Sequence, residues 1–409
     1  MRYNFDMLPD RRATESTKWH KHDPDVIPLW LADMDFVSPA PVIQALRERV
    51  EHGVFGYPEG ILGDPQELSA FRQLMVDRLA ERYSWQVQPV DLVFVPGVIT
   101  AFNLACHTVA APAGGVLVQT PVYPPILNAA PTVNVPGQQA ELARDADGSY
   151  RIDWYTFASA ITPATRLFIL CNPHNPVGRV FDRAELERMA EICLQHGVII
   201  CSDEIHCDLM YDGQRHTPLA SLHPDIARHT ITLMAPTKTF NLAGLQCSVA
   251  IIQNPELRQR YQQARRGLVG WVNLMGLLAA QVAYREGQDW LDQLVAYLAA
   301  NRDYLWQYVR QELPGITMAR PEATYLAWLD CRQAGIDGNP YEFFLQQARV
   351  ALSDGATFGR GGEGFVRLSF GCARATLAEA LERMRKALAR SRRADQAGDD
   401  VMSGQDRDA

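Results

Sequence analysis

The sequence predicts an α/β fold: a mostly parallel central sheet flanked by helices, followed by a smaller α+β unit. Three observations predict it. From about Asp91 to Gln253, short β-rich runs alternate with helix-length amphipathic stretches. Those strand runs are nearly all apolar rather than alternating, the pattern of strands covered on both faces. After Asn254 the pattern turns helical and then mixed.

The elements follow in order. The segment up to about Gln44, rich in proline and aromatics, reads as an arm packing over a neighbouring surface. "DLVFVPG" leads into the helical "VITAFNLACHTVA", and "GVLVQTP" follows as the next strand. "RLFILCN" leads into "RAELERMAEICLQHG", then "VIICSDE", "TITLMAPTK" and "SVAIIQN". "PELRQRYQQARRG" and the long run from "GLLAAQVAYREG" to "YVRQEL" read as helices crossing to the next unit. An α+β segment then spans about Ile316 to Leu388, with "TYLAWLD", "GFVRLSFG" and the closing helix "TLAEALERMRKALARS". The expected division is an arm over 1–44 contributing to the small domain, a large domain over 45–285, a small domain over 286–391, and a disordered tail over 392–409.

Size and charge bound the function. A chain of 409 residues suggests two to three domains, and 47% hydrophobic with 21% charged residues is ordinary globular composition. A net charge of −8 argues against nucleic-acid partners, which need a basic footprint. The N-terminus has no apolar core of a secretory signal, and no run is long enough to span a bilayer, so a cytoplasmic protein without a membrane partner is expected. The eight cysteines are dispersed without a CxxC pair and read as free thiols in a reducing compartment.

Four strand ends carry unusual residues, and ligands of open α/β sheets gather at the carboxyl ends of strands. Gly97 in "FVPGVITAF" opens a strand-to-helix turn whose free N–H groups suit a phosphate, although for this segment alone a plain tight turn without a ligand is the better reading. "CNPHNPVG" places two Asn-Pro pairs after a buried strand, and Asn175 there offers an amide. "VIICSDEIH" ends an apolar strand on Asp203 and Glu204. That pair is either an acidic cap or ion pair, or a carboxylate facing a cation. Asp203 with His206 alone is a poor metal site, so no metal is expected. Lys238, 35 residues after Asp203 (238 − 203), follows another apolar run, where desolvation favours a neutral, nucleophilic amine. Together these supply an anion cradle, an amide, a carboxylate and a poised amine, the set that pyridoxal phosphate requires.

At these residues the sequence resembles the fold-type I pyridoxal-phosphate enzymes of the class I/II aminotransferase superfamily, over about Asn4 to Ser391. "PLWLADMDF", "FGYPEG", "SDEIH" and "KTFNLAGLQ" resemble most the MalY/PatB-type carbon–sulfur lyases, also called cystathionine β-lyases or cysteine-S-conjugate β-lyases. The resemblance implies a large domain with a mostly parallel sheet plus a small α+β domain. It implies that Lys238 carries the cofactor and that Asp203 faces the pyridine nitrogen. Asn175 would donate to the phenolic oxygen, with His206 beside it, and Tyr123 would stack on the ring. Val98 and Ile99 would offer backbone N–H groups to the phosphate, helped by Thr237. Tyr57 would reach the partner subunit's cofactor, implying a homodimer with shared sites, and Arg367 would grip the substrate α-carboxylate.

Two positions depart from the common aminotransferase pattern. Gln246 stands where many carry a phosphate-binding arginine, and Ala235 where a hydroxyl residue is common. Three activities stay open from the residues: β-elimination from S-substituted cysteines, transamination with a keto acid, and a regulatory or binding role that keeps the cofactor site. The missing arginine leans towards the first. "KWHKHD" reads as a polar arm rather than a metal site, "ARSRRAD" as a solvated helix end, and the aromatic series Trp290, Tyr297, Tyr304, Trp306 and Tyr308 as helix packing.

Overall fold

The structure, a computed structural model, describes residues 1–59 and 68–405, with side chains described as far as Arg392. In chain order the strands used below are β1 (Ile27–Pro28), β2 (Leu92–Val95), β3 (Gly115–Thr120), β4 (Gly137–Glu141), β5 (Thr165–Cys171), β6 (Ile199–Asp203), β7 (Thr230–Met234), β8 (Ser248–Ile251), β9 (Leu326–Asp330), β10 (Val350–Ala351), β11 (Ser353–Asp354) and β12 (Phe365–Ser369). The helices are α1 (Ala40–His52), α2 (Ser69–Tyr83), α3 (Val98–Val109), α4 (Arg183–Gln195), α5 (Pro236–Thr239), α6 (Pro255–Arg265), α7 (Leu274–Glu286), α8 (Gln288–Glu312) and α9 (Arg374–Gln405).

A seven-stranded sheet in the order β2-β8-β7-β6-β5-β3-β4 forms the centre, as the apolar strand runs predict. All of its pairings are parallel except the two made by β8. Consecutive side chains of one strand enter different cores. Val116, Val118, Leu167 and Ile169 pack with Ala101, Phe102 and Ala105 of α3. Leu117, Phe168, Leu170 and Ile200 pack with Leu186, Met189 and Cys193 of α4. Each such fully buried aliphatic side chain contributes about 1.5–3 kcal/mol. The start of α4 is fixed by a capping box between Asp182 and Glu185.

The carboxyl end of the chain builds a second, three-stranded sheet, β9-β12-β11, antiparallel throughout. The arm reaches this region: β1 pairs in parallel with β10, placing Ile27 opposite Val350. Further back, Phe5 is buried edge-on against Phe36 and Trp290. The helix α1 begins at Ala40, so a boundary at 44/45 falls inside it. The closing helix α9 extends to Gln405, whereas the sequence reading stopped ordered structure at Ser391. Its continuation has no proline to interrupt the i→i−4 ladder. For residues 406–409, the expectation of disorder lies outside the described residues.

All eight cysteines are buried free thiols. Among the described residues no helix is long and apolar enough to cross a membrane.

Candidate active site

Five strands of the parallel sheet end at one pocket of about 270 Å³, lined by Gly97, Val98, Ile99, Tyr123, Asn175, Asp203, His206, Thr237, Lys238 and Gln246 among others. Each lining residue arrives by the strand end that precedes it. After β2 the chain turns through Gly97, whose φ of +93° is costly for any residue with a Cβ. A Cβ built there meets nothing within 4 Å, so the space above this glycine is open. The helix α3 then begins. Its first intrahelical bond runs from the Ala101 N–H to the Gly97 carbonyl, which leaves the N–H groups of Val98, Ile99 and Thr100 free to serve an anion.

Tyr123 follows β3 and donates its backbone N–H to the Asn175 carbonyl at 3.1 Å. Asn175 lies in the loop after β5, where the Asn172–Pro173 and Asn175–Pro176 bonds are both cis. Its side-chain oxygen accepts from Arg367 Nη1 at 3.0 Å, so its amide nitrogen remains to face the pocket. Thr237, buried beside Lys238, sits in the single turn α5 that follows β7.

Asp203, His206 and Arg367 are buried and Lys238 is half-buried, and the charges are poorly matched. Asp203 ends β6 and accepts from the Ile205 N–H at 3.1 Å. Burial pushes its carboxyl up to about 7; the Ile205 hydrogen bond opposes this, neighbouring Glu204 adds to it and Lys238 opposes it. Lys238 has no carboxylate within ion-pair distance among the described residues, and its Nζ donates to the Ala32 carbonyl at 2.6 Å. Burial brings its amine down to about 8, with Asp33 and Asp203 resisting and Arg367 assisting. His206 is lowered to about 3 by burial and by the Lys238 and Arg367 charges, and its Nδ1 has no hydrogen-bond partner. Arg367, on β12, bonds the Trp30 carbonyl at 2.9 Å and Ser353 Oγ at 3.1 Å as well as Asn175. Its Nε has no partner, and burial brings the guanidinium down to about 10.

The structure therefore brings together Val98, Ile99, Tyr123, Asn175, Asp203, His206, Thr237 and Lys238, with Arg367 joined to them through Asn175. It does not bring Tyr57, which is 88% exposed on the segment after α1. Sequence reasoning missed the backbone of Trp30 and Ala32 as partners of the two cations, and Tyr325, whose hydroxyl also donates to the Ala32 carbonyl at 3.0 Å. It left Glu204 undecided. That carboxylate is fully buried and accepts from His216 Nε2 at 2.7 Å, Ser202 Oγ at 2.8 Å and the Leu219 N–H at 3.1 Å. The one signal for the backbone contacts was an acidic pair inside an otherwise apolar run, "PLWLADMDF".

The arrangement meets the demands of pyridoxal phosphate on its own geometry. It has an open glycine turn with free amides, a buried carboxyl lacking a cation, an unpartnered imidazole nitrogen and a desolvated amine.

The comparisons with known proteins agree. A family model described as aminotransferase class I and II matches residues 25–384. Cystathionine beta-lyase PatB of Bacillus subtilis is 39% identical over 395 residues, covering 94% of this chain and 100% of that protein. Among solved structures, OvoB matches with a TM-score of 0.88 at 41% identity, covering 94% of this chain and 99% of that one. A PLP-bound C-S lyase from Staphylococcus hominis matches with a TM-score of 0.87 at 32% identity, covering 95% and 98%.

Proposed function

From the premise that the chain belongs to the aminotransferase class I and II family, we propose that it is a pyridoxal-phosphate-dependent carbon–sulfur β-lyase. It would cleave cystathionine or other S-substituted L-cysteines, with water, to a thiol, pyruvate and ammonia. The observation that carries the cofactor assignment is the convergence of five strand ends on an amine, a carboxyl and free backbone amides in one pocket. The lyase direction rests on the full-length similarity to cystathionine beta-lyase PatB.

Pyridoxal phosphate supplies, when bound, an aldehyde for amino groups and a ring that spreads the electron pair left at Cα. The protein does the rest. The free N–H groups of Val98 and Ile99, with the Thr237 hydroxyl, would hold the phosphate; Gln246 lines the same pocket but brings no charge. Asp203, raised to about 7 while it faces no cation, becomes a stable anion when it meets a protonated ring nitrogen and keeps the proton there. The Asn175 amide, oriented by Arg367, would donate to the phenolic oxygen. Tyr123 would pack against the ring, and His206 lines the same pocket.

Arg367 meets no carboxylate among the described residues and keeps donors for the substrate α-carboxylate. Lys238 takes the Cα proton. With its amine lowered to about 8, it exchanges a proton near neutral pH far more readily than an ordinary lysine. The Cβ–S bond then breaks, and the sulfur leaves as a thiolate, a far weaker base than an alkoxide. Water finally releases the three-carbon fragment as pyruvate and ammonia.

We further infer a homodimer in which Tyr57 reaches the partner's cofactor. Its exposure, next to exposed Val54 and Phe55, supports a surface made to be covered. Eight buried free thiols suit a reducing, cytoplasmic setting.

Purified protein with cystathionine and no keto acid is the test. Continuous pyruvate release over many turnovers is expected. A single stoichiometric half-reaction that leaves pyridoxamine phosphate overturns the lyase reading in favour of a transaminase.

A further inference from the structure

One short stretch of chain touches both cations of the pocket with main-chain oxygens. The Trp30 carbonyl accepts from Arg367 Nη2 at 2.9 Å and from Ser353 Oγ at 2.6 Å. Two residues on, the Ala32 carbonyl accepts from Lys238 Nζ at 2.6 Å and from the Tyr325 hydroxyl at 3.0 Å. At Ala32 itself the chain turns tightly, the Asp33 N–H returning to the Leu31 carbonyl at 2.9 Å.

What holds this turn is the arm. Lys18, 1% exposed, donates to the Asp33 carbonyl at 2.9 Å and to Asp35 Oδ2 at 2.8 Å. Arg11 spans the Asp33 and Asp35 carboxylates at 2.7 and 2.9 Å and reaches the Met34 carbonyl at 3.1 Å. The Trp19 indole N–H donates to Asp35 Oδ1 at 2.9 Å, and the Trp30 indole N–H to the Lys18 carbonyl at 3.2 Å. Apolar packing would serve stability as well as a buried ion pair does. A buried pair that grips the segment next to both pocket cations points to orientation.

We propose that Lys18, supported by Arg11 and Asp35, is a positioning group for the reaction, fixing the Trp30 and Ala32 carbonyls and through them the direction of the Arg367 guanidinium and the Lys238 amine. The proposal rests on the lyase reading of the site. Its effect is greatest whenever Lys238 is free, as it must be while it moves the Cα proton.

The charges have a definite sense. Lys238 faces Asp33 and Asp203, which favour its ammonium, and Arg367, which opposes it, with His206 alongside in the pocket. Removing the Lys18 charge leaves Asp33 and Asp35 less neutralised, so the ammonium form of Lys238 is held to higher pH.

The test compares wild type, Lys18→Met and Trp19→Phe, the last losing a single bond to Asp35. In the loaded enzyme, kcat, KM and the pH profile of kcat are read from pyruvate release. In the cofactor-free protein, the pH dependence of Lys238 modification by an amine reagent is followed by peptide mass spectrometry. For Lys18→Met, kcat is expected to fall roughly tenfold or more, as for a misdirected catalytic group. The acid limb of kcat and the labelling midpoint should both move to higher pH. Trp19→Phe should move them the same way by less, and it decides the matter if Lys18→Met does not fold. Wild-type values of kcat and labelling midpoint in a folded variant, whatever its melting temperature, overturn the proposal. Absence of pyruvate release by wild type overturns the lyase reading instead, and the labelling midpoint still judges the arm.

Discussion

The arm cluster around Asp35 and the pocket around Lys238 each draw a lysine, an arginine and an aspartate largely out of water, yet they are built oppositely. In the arm, Lys18 and Arg11 both meet Asp35, at 2.8 and 2.9 Å. In the pocket, neither Lys238 nor Arg367 has a carboxylate in ion-pair range among the described residues. There Asp203 rises to about 7 and Lys238 falls to about 8. A buried charge with its counter-charge supports structure. A buried charge kept from one is available for a ligand or a proton.

That contrast can be broken from either side. The largest effect is expected from Lys238→Ala, which should cost pyruvate release about 10³-fold or more and abolish the borohydride-sensitive visible band of the loaded enzyme. A variant that keeps both would remove Lys238 from the chemistry. Next comes the matched side. Asp35→Ala strands Lys18 without its counter-charge and should lower unfolding stability by about 3–5 kcal/mol, read by denaturant titration. A loss within the scatter of surface substitutions would show that the arm cluster is not the firm element of the pair.

Arg367→Lys keeps a charge but loses the planar fork, and kcat/KM should drop about 10- to 100-fold, mostly through KM. A pure kcat effect would argue against a carboxylate-binding role. The smallest effect sharpens the electrostatics. Because the folded-state pKa of Asp203 lies above its unfolded value, burying it costs most once pH exceeds about 7. The cofactor-free Asp203→Asn variant should therefore melt higher than cofactor-free wild type at pH 8, with the gap narrowing as pH falls from 7 towards 4. A gap that does not change with pH would mean that Asp203 has a counter-charge after all.

The pocket was more legible in the sequence than the arm, and the reason is distance along the chain. Gly97, Asn175, Asp203 and Lys238 each follow their own apolar strand within a few residues, so local pattern announces them, and parallel pairing brings the strand ends together. The fold class came from the same local signal. The arm's "KWHKHD" reads as a plain polar stretch because its partners lie elsewhere. Lys18 finds Asp35 across 17 residues, and Lys238 finds the Ala32 carbonyl across 206. A backbone acceptor leaves no mark on residue identity, so alanine at position 32 gave no hint of its contact. The continuation of α9 past Ser391 was missed because a charged, small-residue run lacks the apolar period that announces a packed helix.

The stretch from Trp30 to Ala32 has a last consequence, which concerns chain length. Because both anchors are carbonyls, the bonds themselves ask nothing of the side chains at 31 and 32, although Ala32, buried and lining the pocket, leaves room only for a small one. The number of residues between them is another matter. Inserting or deleting one residue at Leu31 would leave at least one of the two cations facing the wrong atom. Drift among relatives of this protein should therefore be limited by size at position 32 and rigid in spacing across this stretch, whereas a motif defined by side-chain chemistry would fix the residues themselves.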